Sequence, residues 1–433
     1  MDNALTTALA VGMAAAVAAW GRLHADRAAS LNKARLLEAR NAHALPSQKL
    51  AHMPVPLCIV QGDGNYLVDE AGVRYLDSRN NVASIGHQHP RWLAAVCAQL
   101  ARTNTNARYL HPLREALVAR LLALSPPHLT HVVLLNSGSE ANDAALRLAR
   151  AQSGSQHVIA LEGGYHGVTC ATLDASPYKW PAQRPASLTV IGAPVDAADA
   201  RWSDVDAAVA RFPGATLIVE SAQSVGGCRM FAPGWLAHAT RVVQAAGGVV
   251  IADEVQVGLG RTGETFWAFA RERSVAPDVV TVGKGLGNGF PVAAVLCTSA
   301  LAHALERESR ELFSTYGGNP VACAAALAVL DVIAEERLVA NAAAMGRRLV
   351  EQCSRMTGGC VTAVRGCGLF VGIELRAEDA PRVARAMLEQ HRVLVSLDGP
   401  AANVLVVKPP LTWREAEVDA FCNALWECVG APR

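Results

Sequence analysis

Between about residues 130 and 300, short apolar runs alternate with longer stretches of helical character. The runs are His131 to Leu135, His157 to Leu161, Ala215 to Glu220, Gly248 to Ala252, Asp278 to Val282 and Val292 to Cys297. This rhythm predicts an α/β fold, a mostly parallel sheet wrapped by helices. In such sheets ligands collect beyond the carboxyl ends of the strands. Several polar motifs of this chain fall at those ends, so the region reads as a site as well as a core.

The flanks are simpler. Turn-rich segments (Gly62-Asp63-Gly64-Asn65 and Glu70-Ala71-Gly72) within residues 51 to 80 predict a small hairpin. Residues 320 to 355 read as one long Ala-rich helix opened by Asn319-Pro320, since proline is tolerated in a first turn. Residues 360 to 433 read as a compact α+β unit ending in a helix. A chain of 433 residues is expected to form two domains around a shared cleft. The expected division is an extension over 1–29, a small domain built from 30–84 and 331–433, and a large domain over 85–330.

Hydrophobic residues make up 51% of the chain, charged residues 18%, and the net charge is +1, which excludes a disordered chain or a nucleic-acid coat and points to a small-molecule ligand. The 11 cysteines are scattered and never form C-x-x-C, so neither a disulfide framework nor a zinc cluster is expected, and a reducing compartment is. Ala4 to Trp20 is almost unbroken in apolar and small residues. It is shorter than the roughly 20 residues of a membrane span, and no positive charge precedes it as in a secretory signal. Arg22, Arg27, Lys33, Arg35 and Arg40 after it suit an organelle-targeting helix, diluted by Asp26 and Glu38. A cytoplasmic or mitochondrial location is expected, and membrane association is not.

Four motifs carry chemistry. Ser137-Gly138-Ser139-Glu140-Ala141-Asn142 lies between a strand and a helix, where backbone N–H groups and a positive dipole end suit an anion; its plain alternative is an N-cap by Ser139. Asp253-Glu254 ends a buried strand and suits a metal, a nucleotide or a protonated ring nitrogen. A nucleotide would call for a phosphate loop of the form G-x-x-x-x-G-K-[ST], and none is present. Lys284 ends the next strand among Gly283, Gly285, Gly287 and Gly289, where desolvation makes an amine nucleophilic; otherwise it is a solvated loop lysine. Gly163-Gly164-Tyr165-His166-Gly167 offers rings that can stack on a flat ligand or serve structure. The pair His87 and His89 lacks a third ligand, so no metal is expected.

Together the segments Asn136 to Asn142, Gly164 to Gly167, Ala252 to Gly263, Gly283 to Gly285 and Ser314 to Pro320 resemble, in order and spacing, the class III aminotransferases, pyridoxal-5'-phosphate (PLP) enzymes of fold type I. The resemblance spans roughly residues 30 to 433. It implies that Gly138 and Ser139 bind the cofactor phosphate, that Tyr165 stacks on the pyridine ring and that Gln256 approaches the ring hydroxyl. Asp253 is implied to keep the ring nitrogen protonated. Lys284 is implied to bind the cofactor aldehyde as an imine and to shuttle the substrate's proton. Thr315 is implied to reach the phosphate of a neighbouring subunit, hence a homodimer with shared sites. Glu220 is implied to stand behind the site without chemistry of its own.

Within the family, amino-acid transaminases commonly carry an arginine three residues before the Pro-Pro of the C-terminal motif; here that position is Val406, before Pro409-Pro410. The acidic partner that some members place five residues after the motif Glu is Val225 here. Valine cannot clamp a carboxylate. Glu220-Ser221, Arg79-Asn80-Asn81-Val82-Ala83 and the stretch Thr103 to His111 look like the ethanolamine-phosphate and phosphohydroxylysine phospho-lyase branch, which is close to the alanine–glyoxylate aminotransferases. The resemblance implies a lyase expelling phosphate from the carbon beside the one that Lys284 deprotonates, with Arg108 and Lys408 as candidate receptors for that phosphate. The rival is a transaminase of alanine–glyoxylate or ω-amino type. A non-catalytic interaction protein would have no reason to keep both Lys284 and Asp253.

Overall fold

The computed structural model describes residues 33–51, 56–179, 184–195, 200–307 and 311–430; the run Ala4 to Trp20 lies outside them. The first strands are β1 (Ile59–Asp63), β2 (Tyr66–Asp69) and β3 (Arg74–Asp77). They form an antiparallel meander of three strands where the sequence suggested a hairpin of two, because the second turn, Glu70-Ala71-Gly72, feeds a further strand.

The central strands are β4 (His131–Leu135), β5 (Val158–Leu161), β6 (Leu188–Ile191), β7 (Thr216–Glu220), β8 (Val249–Asp253), β9 (Val279–Val282) and β10 (Ala293–Cys297). They form one sheet in the order β4-β10-β9-β8-β7-β5-β6. The pairs from β6 through β9 are parallel, and β10 is reversed against both β9 and β4. Strands β5, β7, β8, β9 and β10 are buried at every position. Burial on both faces is why these strands read as continuous apolar runs without alternation. The edge strand β6 is half-buried and was not among the runs the sequence announced.

The remaining strands are β11 (Val361–Cys367), β12 (Phe370–Leu375), β13 (Val393–Leu394), β14 (Leu397–Asp398) and β15 (Val404–Val407). Strand β13 runs parallel to β3, with Val393 opposite Leu76, so segments from the N-terminal and C-terminal parts of the chain share a sheet. The others form the sheet β11-β12-β15-β14. Before β11 the chain forms two helices, Pro320–Glu335 and Leu338–Ser354, where the sequence suggested one. The break falls at Arg337, whose φ of 52° leaves the helical region. Asn319 caps the first of them by accepting the N–H of Ala322 at 2.9 Å.

The largest apolar cluster runs through both regions and fully buries Trp235, Trp267, Trp413, Phe269 and Phe421. Truncating one such ring to alanine costs about 3 to 5 kcal/mol. No helix among the described residues is long and apolar enough to cross a membrane.

Candidate active site

Parallel pairing in register sets Glu220 opposite Asp253, and Asp253 opposite Thr281, at the carboxyl ends of β7, β8 and β9. Lys284 follows three residues after Thr281, with a φ of 41° that swings the chain sharply out of the strand. Asp253 and Lys284 line a single cavity of about 460 Å³, together with Ser137, Gly138, Ser139, Asn142, Tyr165, His166, Gln256 and Val82. That size lies in the range of cofactor and small-ligand pockets.

The carboxylate of Asp253 is buried and held from three sides. Oδ2 accepts from Nδ2 of Asn142 at 2.8 Å and lies 2.8 Å from Nδ1 of His166, and Oδ1 accepts the N–H of Val255 at 3.0 Å. Asn142 is fixed in turn, its Oδ1 accepting from Thr281 Oγ1 at 2.6 Å. The sequence reading quoted Asn142 and His166 in motifs but gave neither this task. A signal for Asn142 did exist, since it lies one helical turn beyond Ser139 and faces the same side.

Ser137, and not Ser139, caps the helix Gly138–Ser153 by accepting the N–H of Glu140 at 3.2 Å. Ser139 Oγ instead accepts the N–H of Val168 at 3.1 Å, tying the helix start to the loop after Tyr165. A Cβ on Gly138 would stand 2.8 Å from Val255 Cγ1, so only glycine lets these segments meet. Burial alone pushes up the phenol of Tyr165. The amine of Lys284 is pushed below the ordinary lysine value by desolvation, with Asp253 opposing and Lys408 reinforcing the shift.

Glu220 lies behind the cavity wall. Its Oε1 accepts the N–H of Tyr165 at 3.3 Å and its Oε2 that of Ser224 at 3.0 Å. Burial pushes its carboxyl up to about 7. Asn81 Nδ2 donates to Gln256 Oε1 at 2.5 Å and fixes that side chain.

The two candidate phosphate receptors part company. Lys408 is buried, donates from Nζ to Ser224 Oγ at 2.7 Å, and so stands next to Glu220 behind the wall. Arg108 lies outside the cavity lining: it is exposed, pairs with Glu311 at 3.2 Å, and its guanidinium stacks 3.9 Å above the Phe313 ring. Thr315, also exposed, lies on that same outer segment. His87 and His89 face Asp77 and Glu336, at 2.7 and 3.0 Å.

The arrangement joins a buried carboxylate, a desolvated amine and a helix start with open N–H groups around a pocket. The family model described as Aminotransferase class-III matches residues 47–429. The chain belongs to this family. It is therefore a PLP-dependent enzyme of fold type I, and the residues just described suit that cofactor: an acid for a ring nitrogen, an amine for an aldehyde and a glycine-lined helix start for a phosphate. The chain is 40% identical to a Drosophila melanogaster protein named alanine–glyoxylate aminotransferase 2-like, over 93% of this chain and 88% of that one. It is 33% identical to the Caenorhabditis elegans ethanolamine-phosphate phospho-lyase homolog 1, over 86% and 88%. The structure of a phospholyase from Arthrobacter in complex with phosphoethanolamine superposes with a TM-score of 0.86 at 33% identity, covering 91% of this chain and 99% of that one.

Proposed function

We propose that this enzyme is a phospho-lyase acting on an O-phosphorylated small amine and giving an aldehyde, ammonia and phosphate. The observation that carries the reading is the contrast between Val406 and Lys408. Val406 is wholly buried and packs in an apolar cluster with Ala222, Cys228, Val257, Phe370 and Val404, so no carboxylate clamp exists there. Two residues on, Lys408 holds an ammonium behind the cavity wall, and among the described residues its one hydrogen-bond partner is the neutral hydroxyl of Ser224.

When bound, PLP supplies an electron sink for the substrate carbon beside the amine. The chain's residues do the rest. Gly138 and Ser139 would hold the cofactor phosphate at the helix start, and Tyr165 would stack on the ring. Asn142 and His166 keep Asp253 aligned, so that it would hold a proton on the ring nitrogen. Gln256, fixed by Asn81, would approach the ring hydroxyl. Lys284 would anchor the cofactor and, as an amine whose basicity burial lowers, would take the proton from the substrate carbon. The neighbouring C–O bond breaks, its electron pair leaving with phosphate, and one water is consumed as the remaining fragment yields aldehyde and ammonia. Lys408 favours departure of the dianion.

We read the chain as a homodimer. Beside Thr315, the side chains of Tyr109, Leu110 and Tyr316 are exposed by 67%, 93% and 67%, an apolar surface that a second copy would cover. On this reading Thr315 and Arg108 serve the neighbour's site. The two-domain division stands as a proposal on the same footing, with the small sheets flanking the large one, and so does a mitochondrial location, a word found in the name of a human relative 36% identical to this chain.

The test is a substrate panel with and without keto acids. Release of inorganic phosphate and ammonia from phosphoethanolamine or phosphohydroxylysine, with no keto acid present, is expected. Amino transfer that requires glyoxylate or pyruvate, without phosphate release, would favour the transaminase.

A further inference from the structure

Because Arg108 lies on the outer face of its own chain, Lys408 is the one of the two candidate phosphate receptors that this chain brings beside its own cavity. One ammonium is a poor match for a dianion with three oxygens, which a guanidinium fork suits better. The turn after β3 supplies such a fork. The carbonyl of Ser78 accepts the N–H of Lys408 at 2.7 Å, so the next residue, Arg79, leaves the chain beside Lys408. Asp77 Oδ1 accepts the N–H groups of Arg79 and Asn80 at 3.1 and 3.0 Å and pins the turn. Two residues beyond Arg79, Asn81 holds Gln256, and Val82 lines the cavity.

Arg79 therefore stands beside the lysine, on the turn that leads to Val82 in the cavity wall. Its side chain is half-buried, yet among the described residues its guanidinium makes no hydrogen bond and no ion pair. A guanidinium without a protein partner there has donors free for an anion. Asp398, on β14, is the carboxylate near both cations: burial pushes its carboxyl up, and Lys408 and then Arg79 oppose that shift.

We propose that Arg79 is the second receptor for the substrate's phosphate, presenting a bidentate fork next to the Lys408 ammonium. The site would take the monophosphate ester of a small amine. This assignment rests on the phospho-lyase reading for its substrate, but it can fail independently of it.

The experiment uses the holoenzyme in three forms: wild type, Arg79→Met and Arg79→Lys. Inorganic phosphate is the first probe, by calorimetry and as a competitor, and phosphoethanolamine the second. Arg79→Met is expected to bind inorganic phosphate about tenfold to a hundredfold more weakly, the worth of a charged bidentate contact. KM for phosphoethanolamine should rise by the same factor while kcat and the visible absorbance of the cofactor stay near wild type. Arg79→Lys should recover part of the loss, and it carries the test alone if the methionine variant fails to fold. Phosphate binding and KM unchanged in both variants overturn the role of Arg79 and leave the lyase standing. A wild type that binds phosphate through Arg79 but releases none from phosphoethanolamine overturns the lyase and leaves the anion site standing.

Discussion

Nδ1 of His166 lies 2.8 Å from Oδ2 of Asp253, although the two are 87 residues apart in sequence and stand on different strand ends. Both are buried, and Asn142 bonds to the same oxygen from the opposite side, at 2.8 Å. A carboxylate so held is fixed in direction, as an acid that must meet one ring atom has to be.

The first prediction concerns that hold. Replacing His166 by Ala removes one partner of a buried carboxylate, which costs about 1.5 to 3 kcal/mol. Turnover of phosphoethanolamine is expected to fall about tenfold to a hundredfold, and Asp253→Asn to do more damage, since it removes the charge itself. Steady-state kinetics at saturating PLP check both.

The second concerns the basicity of Lys284. Burial lowers its pKa and Asp253 raises it, so cancelling the charge of Asp253 lowers it further. Cofactor uptake by the apoenzyme needs the neutral amine, so its rate should rise with pH and level off below the ordinary lysine value of about 10.4. In Asp253→Asn the midpoint should move to lower pH. Stopped-flow absorbance across the pH range measures it, and a shift to higher pH would contradict the assignment.

Much of this site was legible in the sequence because strand ends carry it. Asp253 and Lys284 each close an apolar run, and the rule for parallel sheets sends both to one edge. The role of His166 was not legible, because its contact with Asp253 depends on which strands are neighbours, and local pattern does not encode that. The break at Arg337 escaped for a different reason: neither glycine nor proline marks it, and the residues on both sides are good helix formers. Strand β6 was short and half-buried, with too few residues to stand out. Arg108 and Arg79 were both quoted in motifs, but composition cannot say which arginine already has a partner; the structure gives Arg108 the carboxylate of Glu311 and, among the described residues, gives Arg79 no ion pair.

A third prediction concerns stability. The carboxyl of Glu254 is buried, accepts the N–H groups of Ala268 and Phe269 at 2.8 and 2.9 Å, and is pushed up by burial from 4.5 to about 7. Its folded pKa lies above its unfolded one, so its contribution is present at low pH and is lost as pH rises through that window. Glu254→Gln should flatten this part of the profile, with a smaller loss of urea midpoint between about pH 4.5 and 7 than wild type. An identical slope would contradict the shift.

A fourth concerns cofactor retention. Ser139→Ala removes a hydroxyl from the helix start and the acceptor of the Val168 N–H, 3.1 Å away. The dissociation constant for PLP should rise about tenfold, the worth of one charged hydrogen bond, while substrate KM at saturating cofactor changes little. Equilibrium dialysis against PLP reads the change.

The central claim is covalent, and it names one lysine. Borohydride reduction of the holoenzyme, followed by digestion and mass spectrometry of the peptides, locates the cofactor directly. The account predicts the added mass on Lys284 alone, and none in Lys284→Ala. Cofactor mass on Lys408, the other lysine buried beside the cavity, or on any other residue would contradict it.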